Sequence, residues 1–436
     1  MGSSCDNKPE LLAPAGGWEQ LFYALHFGAD AVYLACDRFG LRQRASNFSL
    51  ADLPRAVEVA HAAGARVYVT CNAYAHDADL ADLPVYAQAM ERAGADAAIV
   101  SDLGVLAVVQ ESAPSLALHV STQASVSNAA AARMWYRLGA RRVVCAREMS
   151  LAEIAAMRAA VPDDLEIEAF VHGAMCMAVS GRCLISDYMT GRPANKGQCT
   201  QPCRWRYDLV EPSRATERFS IEEDAQGTYL LNSKDLNMLA NLDELAAAGV
   251  DSLKIEGRVK KAFYVATVTN AYRQVLDGGD PEAWERELEI ISHRPYSTGF
   301  YFGDAEQSVD DDVYVQLYDW VGEVIGSSAV GAVDWDRGDG ASDAAVADEG
   351  ADAGRWRVEC RCRNRFYAGD ELEVLSPAAP VRRLVVEDLV EIFDEGEGVP
   401  VEKASRAMGR YAFVCDLPLE PRDILRVRRK DPARKN

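Results

Sequence analysis

The sequence predicts an α/β protein: a (β/α)8 TIM-like barrel followed by a C-terminal small antiparallel β-barrel domain. Strand-like and helix-like segments alternate over the first 280 residues, with eight strand candidates in units of about 25–30 residues. From about residue 312 the pattern changes to short strands of alternating polarity. A doubly wound sheet is the alternative for the first part. The strand count favours the barrel, as does a helical segment at 260–278 that can close the ring.

The elements of the barrel follow from short apolar runs that alternate with segments rich in Ala and Leu. We predict strands at 10–16, 31–37, 66–74, 97–102, 117–125, 141–148, 166–173 and 251–258. We predict helices between them at 18–28, 53–64, 83–94 and 129–139. A glycine closes many of the helical runs, which is typical of a helix C-terminus that leads into the next strand.

Two domains are predicted. The first, residues 1–303, is the barrel, and a cysteine-rich insertion at 174–233 separates its seventh and eighth strands. In such a barrel this insertion leaves the C-terminal rim, where active sites lie. The second domain, residues 312–436, is the β-barrel, and its segment 334–352 carries seven acids and one Arg, which predicts a solvated loop.

Composition excludes several classes of protein. The chain has 436 residues, of which 49% are hydrophobic and 26% charged, and this is ordinary globular composition. No apolar run reaches the ~18 residues that span a bilayer, and no signal peptide is visible, so we expect a soluble cytoplasmic protein. The net charge of −21 excludes a general nucleic-acid coat but not a local basic site.

The most informative segment is a cysteine block, HGAMCMAVSGRCLISDYMTGRPANKGQCTQPCRWRY, at 172–207. Cys176, Cys183, Cys199 and Cys203 follow the spacing C-x6-C-x15-C-x3-C. Four thiolates can complete a zinc site or an iron–sulfur cluster. Zinc usually prefers closely spaced cysteine pairs, so the spacing favours iron–sulfur. The alternative is four separately buried cysteines.

The same block is locally basic, with five cations against one acid between residues 177 and 206. Aromatic residues stand among these charges, and such a combination can hold an extruded base and its phosphates. The alternative is an ordinary cationic loop that offsets an acidic body. The candidate substrate-binding residues of the block are Arg182, Arg192, Lys196, Arg204 and Trp205.

A second constellation combines YLLNSKDL (229–236) with LKIEGR (253–258). Lys254 and Glu256 are two residues apart on one strand face, and we take them as catalytic candidates. Arg258 and Lys260 follow at a predicted helix start, where an anion site is favourable after the last barrel strand. The alternative is a Lys–Glu pair inside the barrel followed by a solvated helix end.

Further candidates are polar residues near the ends of other predicted strands. His172 ends the seventh strand and is a third catalytic candidate, although a rim histidine satisfied by hydrogen bonds is the alternative. Asn232 and Lys234 of the NSKDL segment are added as substrate-binding candidates. Three residues that end other strands are expected to face the same rim: Asn72, Asp102 and Gln123.

Several catalytic motifs are absent from the sequence. It contains no HExxH helix, no GxSxG elbow and no P-loop, and no GxGxxG follows the first strand. Zinc-protease, α/β-hydrolase and dinucleotide-binding signatures are therefore not available to explain its function.

Three stretches together resemble a known family. They are ELLAPAG at 10–16, the cysteine block through Trp205, and GTYLLNSKDL with SLKIEGR, and they resemble the collagenase-like peptidase family U32 over residues 9–303. The C-terminal domain resembles it more loosely. The cysteine block and SLKIEGR are the most specific of these matches.

The resemblance implies an RNA-modifying enzyme. Similar members introduce a hydroxyl at C5 of the wobble uridine in certain tRNAs and depend on prephenate, an anionic co-substrate. Several carry a 4Fe–4S cluster, which here implies Cys176, Cys183, Cys199 and Cys203 as ligands. Some relatives place one ligand near the NSKDL segment, which has no Cys here, so Cys203 is taken as the fourth. The alternatives are a peptidase, a hydroxylase of another RNA or small molecule, and a non-catalytic module whose metal only staples the loop.

Overall fold

A computed structural model describes residues 8–41, 46–176, 179, 183–205, 208–209, 219–220, 233–303, 317–330, 354–377, 379–393 and 398–429. The chain divides into two compact units, residues 1–315 and 316–436.

The first unit contains a closed parallel barrel, as the sequence predicted. Its described strands are β1 (Glu10–Ala15), β2 (Ala31–Leu34), β3 (Arg66–Cys71), β4 (Ala97–Val100), β5 (Ala117–Val120), β6 (Arg142–Val144), β7 (Glu166–Ala174), β8 (Asp208–Leu209), β9 (Phe219–Ser220), β10 (Asp235–Asn237), β11 (Ser252–Ile255) and β12 (Tyr296–Ser297). Strands β1 to β7 pair in chain order, and β11 pairs in parallel with both β7 and β1. All eight predicted barrel strands are therefore confirmed.

The barrel strands are apolar because they are covered on both faces. Every residue of β1 and β2 is buried, as expected for parallel strands with side chains inside and helices outside. Part of the interior is a cluster of Leu12, Tyr33, Tyr68, Ile99 and neighbouring alanines. Strand β10 extends the sheet beyond the barrel, since it pairs antiparallel with the end of β7 at residues 172–174.

Helices connect the strands and surround them. They are α1 (Trp18–His26), α2 (Leu53–Ala62), α3 (Asp77–Leu80), α4 (Leu83–Arg92), α5 (Leu103–Ser112), α6 (Ala129–Arg137), α7 (Leu151–Ala160), α8 (Ile185–Thr190), α9 (Leu242–Ala247), α10 (Ala262–Leu276) and α11 (Pro281–Leu288). Capping side chains determine where some helices begin, and Ser150 and Glu153 form a capping box at the start of α7. Helix α10 is buried over its first three turns and packs against α1 and β1, which closes the ring.

Only part of the predicted insertion at 174–233 can be described. Its described segment, 183–205, contains α8 and two short 3-10 turns. The predicted candidates Arg182 and Asn232 lie outside the described residues, and so does the side chain of Arg204. Within the described ranges, no helix is long and apolar enough to cross a membrane.

The second unit is an antiparallel sheet, as predicted. Its strands are β13 (Tyr318–Ala329), β14 (Trp356–Cys362), β15 (Phe366–Tyr367), β16 (Glu371–Leu375), β17 (Arg382–Val385), β18 (Glu387–Ile392), β19 (Gly398–Pro400), β20 (Lys403–Ala404), β21 (Arg410–Cys415) and β22 (Ile424–Arg428). The order of the main sheet is β17-β16-β22-β13-β14-β21-β18-β19. Only Val386 separates β17 from β18, which lie near opposite ends of this order, so the sheet must curl round on itself. Cys360 and Cys362 point into its core, and the acidic loop at 334–352 lies outside the described residues.

Candidate active site

A cavity lies where the barrel strands end, at the C-terminal rim. Strands and the segments that follow them supply Tyr33, Leu41, Thr70, Asn72, Ile99, Ser121, Thr122, Gln123, Arg147, Phe170, Lys254, Glu256 and Arg258 to its lining. The insertion covers it with Cys176, Val179, Cys183, Ile185, Ala194, Asn195, Gly197, Cys199 and Cys203. The cysteine block and the segment LKIEGR thus meet at one cavity, although Cys203 and Lys254 are some fifty positions apart in the sequence.

Lys254 is held in this lining by a buried carboxylate. Its Nζ lies 2.6 Å from Oε1 of Glu168, which is fully buried. The same ammonium lies 4.5 Å from the ring centroid of Tyr33 and 5.5 Å from that of Phe170. Burial lowers the pKa of Lys254, and the charge of Glu168 opposes this shift.

Glu256 has a different partner from the one expected. The sequence placed it on the strand face of Lys254, with a Lys–Glu pair as the alternative, but its Oε2 accepts a hydrogen bond from Arg147 at 3.0 Å. Arg147 also donates to the carbonyl of Ala174 at 3.0 Å and stacks 3.9 Å from the ring centroid of Phe170. Strand β11 ends at Ile255, so Glu256 lies just beyond the strand. The alternation of side chains along a strand therefore does not place Glu256 on the same face as Lys254.

Arg147 is a site residue that sequence reasoning missed. It follows β6 by three positions, and its side chain is nearly buried beside the cavity. In the sequence, Arg147 is marked only as a polar residue that follows an apolar run, RVVCA. Asn72 and Gln123 were chosen by the same criterion, and they also line the cavity. Asp102 does not, because its carboxylate accepts from the backbone N–H of Val105 and caps α5.

Arg258 lies in the lining, although not at a helix start. It is 4% exposed, and it donates to Oγ1 of Thr70 at 3.3 Å and to the carbonyl of Leu41. A Cβ on Gly16 would lie 1.9 Å from the carbonyl oxygen of Arg258, so this close approach requires the glycine of the APAG segment. Helix α10 begins only at Ala262, which corrects the predicted helix start at Arg258.

Lys260 is not among the cavity-lining residues. Its Nζ donates to the carbonyl of Ser292 at 3.2 Å and lies 4.8 Å from the ring centroid of Tyr264. The structure therefore separates Arg258 from Lys260, which the sequence had treated as one anion site. Lys234 is half-buried and is also not in the lining.

His172 is packed among tyrosines rather than placed at the cavity. It is 1% exposed, and its ring lies 5.9, 5.5 and 5.4 Å from those of Tyr264, Tyr272 and Tyr296. Its Nδ1 is 3.4 Å from the hydroxyl of Tyr272. Burial, together with the nearby Lys260 and His293, lowers its pKa to about 3. This enclosed, neutral imidazole does not line the cavity, and no hydrogen bond to its Nε2 is found among the described residues. A catalytic role for it stays a prediction.

The four cysteines of the insertion all line the cavity. The segment that carries three of them is folded around Ser186, a fully buried residue whose hydroxyl donates to the carbonyl of Arg192 at 2.6 Å and accepts from the N–H of Thr200 at 3.0 Å. Asn195 donates to the carbonyl of Cys183 at 3.2 Å. These hydrogen bonds therefore fix the backbone of the segment that carries the cysteines.

The chemistry of the four thiols suits a soft metal site. Thiolates are ligands of both zinc and iron–sulfur clusters, and all four line the same cavity. Which of the two these cysteines hold stays a prediction. The N–H of Gln201 points at Sγ of Cys199, at 3.3 Å, as in hydrogen bonds that tune cluster sulfurs.

Of the predicted RNA contacts of the block, the three whose side chains the structure describes do not line the cavity. Arg192 and Lys196 are half-buried on the folded segment, and Trp205 is exposed at its end. Their role in substrate binding stays a prediction.

Comparison with known proteins extends the match to the whole chain. The model of peptidase family U32 matches residues 16–311, and that of the U32 C-terminal domain matches residues 344–426. The chain is 37% identical to tRNA hydroxylation protein P1 of Bacillus subtilis, over 96% of this chain and 94% of that protein. It is 35% identical to tRNA hydroxylation protein P of Escherichia coli, over 90% of this chain and 91% of the relative.

A relative with a different name is also found. The chain is 32% identical to a collagenase of Porphyromonas gingivalis, over 68% of this chain and 74% of that protein. The resemblance seen in ELLAPAG, the cysteine block and SLKIEGR is thus supported by matches that include both units. The chain belongs to peptidase family U32.

Proposed function

We propose that this protein is an RNA-modifying enzyme that hydroxylates C5 of the wobble uridine of tRNA, with prephenate as co-substrate and a 4Fe–4S cluster as cofactor. The observation that carries the proposal is that two relatives named for tRNA hydroxylation match at least 90% of the chain. The collagenase-named relative, which supports the peptidase alternative, matches 68% of it.

In this proposal the cysteines of the insertion hold the cluster. Cys176, Cys183, Cys199 and Cys203 supply four thiolates to one cavity. The cluster would supply one-electron chemistry at the rim. The N–H of Gln201 would stabilise the negative charge on Cys199.

The charged residues of the lining would bind and orient the anionic co-substrate. Prephenate is a dicarboxylate, and Arg147, Lys254 and Arg258 line the cavity into which it must fit. Lys254 and Arg147 are ion-paired with Glu168 and Glu256. Each of the three cations can donate charge-assisted hydrogen bonds to a carboxylate of the co-substrate. Partial burial of the groups strengthens their attraction for an anion.

The tRNA would approach over the insertion. A nucleobase inside a folded anticodon cannot reach a barrel rim unless it is unstacked, so the site needs a concave pocket with cations beside it. Arg192 and Lys196 lie on the segment that covers the cavity. They would hold phosphates, and the base would enter past the cysteine segment.

The test is a nucleoside analysis in a strain that lacks the protein. The strain is complemented with wild type, with Cys183→Ala or with Cys360→Ala, a matched control in the core of the second unit. We expect 5-hydroxyuridine-derived nucleosides of tRNA to vanish on deletion and to return with wild type and Cys360→Ala only. An unchanged nucleoside profile, with gelatin cleavage by the purified protein, would support the peptidase alternative instead.

A further inference from the structure

An exposed apolar face of α8 lies beside the cavity. Tyr188 is 90% exposed, and Leu184, which precedes α8, is 72% exposed. Met189 next to Tyr188 is also exposed. A tyrosine side chain that is left almost entirely in water gains nothing from burial in the folded chain, so its position calls for another explanation.

This face continues the wall of the cavity. Ile185 lines the cavity, and residues three and four positions later lie next to it on the same helix surface. These are Tyr188 and Met189. The N–H of Tyr188 donates to the carbonyl of Leu184 at 2.9 Å, so the two exposed side chains are neighbours one turn apart. Tyr188 and Met189 therefore lie next to the cavity-lining Ile185 on the surface of α8.

The helix is held rigidly enough to present that ring. Ser186 at its start is fully buried and fixed by the two hydrogen bonds described above, and Thr190 at its end donates to the carbonyl of Ser186 at 2.7 Å. Gly191 follows with φ 64°, which ends the helix in the left-handed conformation. A second exposed tyrosine, Tyr74, is tied to the same segment, because its N–H donates to the carbonyl of cavity-lining Asn195 at 2.8 Å.

Charge indicates which partner this face meets. The chain carries −21 overall, yet the segment 183–205 contains three cations and one acid. A polyanion is therefore repelled by most of the surface and attracted here. An exposed aromatic ring beside cations is the combination that single-stranded nucleic acid recognises, since every base has a face that can stack.

We propose that Tyr188 is a stacking residue for an unpaired base of the RNA substrate that flanks the modified nucleotide, with Tyr74 as a second ring at the same rim. This inference rests on the proposed function and identifies the exposed face of α8 as the surface that contacts the RNA. It places the flanking base over α8 while the target base occupies the cavity behind Ile185.

The test compares Tyr188→Ala and Tyr188→Trp with wild type in binding an anticodon stem-loop RNA at fixed salt. Loss of one base–aromatic stack should weaken binding by about 5- to 100-fold in Tyr188→Ala. Tyr188→Trp should retain affinity, and its added fluorescence should be quenched by the RNA. Val85→Ala, an exposed apolar residue on α4, should bind as wild type does.

The outcomes separate this inference from the function on which it rests. If wild type neither binds the stem-loop nor restores tRNA hydroxylation, the proposed function itself fails. If wild type does both and Tyr188→Ala binds equally well, the stacking role is overturned. Equal RNA binding with lost turnover in Tyr188→Ala would also overturn it, and would assign the face to a protein partner such as an electron donor.

Discussion

Charged side chains occupy both ends of the barrel, but they are arranged in opposite ways. At the N-terminal end, the guanidinium of Arg142 is almost fully buried among three carboxylates, at 2.6 Å from Glu10, 2.7 Å from Glu166 and 3.1 Å from Glu168. At the C-terminal rim, Arg147, Lys254 and Arg258 surround a cavity. At the N-terminal end one guanidinium is surrounded by carboxylates, although this network also borders an open space. At the rim, three cations line one cavity together with four cysteines.

Glu168 joins the two ends. Its Oε2 accepts a hydrogen bond from Arg142 of the N-terminal end, and its Oε1 accepts one from Lys254 of the C-terminal rim, at 2.6 Å. The position of the rim lysine therefore depends on a network whose other members never reach the cavity. In barrels of this kind the N-terminal end serves stability and the C-terminal end serves catalysis. The comparison predicts that substitutions at the two ends should fail in different assays.

The largest effect is expected from the cysteines. Replacing any one of Cys176, Cys183, Cys199 or Cys203 by Ala should abolish iron binding, because a four-thiolate cluster loses a ligand. Anaerobically purified wild type should be brown and contain about four irons per chain. Iron and acid-labile sulfide are measured chemically, and unfolding is followed by denaturant.

The matched control is Cys360→Ala, since Cys360 lies in the core of the second unit. It should keep its iron while losing some stability, as expected for a truncated core side chain. Stoichiometric zinc without sulfide in wild type would contradict the cluster. Full iron in the single variants of the block would contradict the ligand assignment.

Next in size is the effect of Glu168→Gln on folding. This variant leaves Arg142 and Lys254 without their shared carboxylate, and breaking a buried ion pair costs about 3–5 kcal/mol. The free energy of unfolding is measured by urea titration. In the wild type the charge of Glu168 counteracts the lowering of the Lys254 pKa by burial. Once that charge is removed, the pKa of Lys254 should fall further below its ordinary value.

Glu256→Gln is the rim counterpart. Its carboxylate pairs with Arg147 and is partly exposed to solvent, so the change should cost less stability than Glu168→Gln does. Equal losses in the two variants would remove the distinction between a structural end and a functional end.

The sequence predicted the fold well because the barrel strands are apolar and buried on both faces, which gives clear runs such as RVYVTC. It singled out four cysteines because they cluster in one insertion, and the structure places all four at the cavity. Their role as ligands stays a prediction. It could not pair Glu256 with Arg147, since they are 109 positions apart and meet only when the barrel closes. It placed His172 at the rim because the residue ends a strand run, but β7 continues to Ala174 and tyrosines from α10 and β12 enclose the ring.

A smaller effect is expected from Arg258→Ala on binding of the co-substrate. A charge-assisted hydrogen bond contributes about 1.5–3 kcal/mol, so prephenate should bind roughly ten- to a hundred-fold more weakly. Iron content should stay normal, because no cysteine is touched. The measurement is an anaerobic calorimetric titration with prephenate.

Lys260→Ala is the control for that titration. Lys260 is two positions away and equally cationic, but it donates to the carbonyl of Ser292 and does not line the cavity. We expect it to bind prephenate as wild type does. Equal affinity in Arg258→Ala would place the anion elsewhere on the rim, whereas a loss in both variants would return the site to the predicted pair.

The smallest effect concerns the pH dependence of stability and isolates the N-terminal end. Burial alone would raise the pKa of Glu10, but Arg142, with a hydrogen bond from Tyr68 and the charge of Arg66, holds it below its ordinary value of 4.5. A carboxylate whose pKa is lower in the folded state stabilises the protein fully above the unfolded pKa. That contribution is lost as the pH falls through the folded pKa.

The free energy of unfolding should therefore decline below pH 4.5, and Glu10→Gln should flatten part of this decline while starting from a lower stability at pH 7. Urea titrations from pH 7 to pH 3 on both proteins measure it. A decline of the same steepness in Glu10→Gln would show that other carboxylates carry the acid sensitivity, and that the network around Arg142 is already satisfied by Glu166 and Glu168.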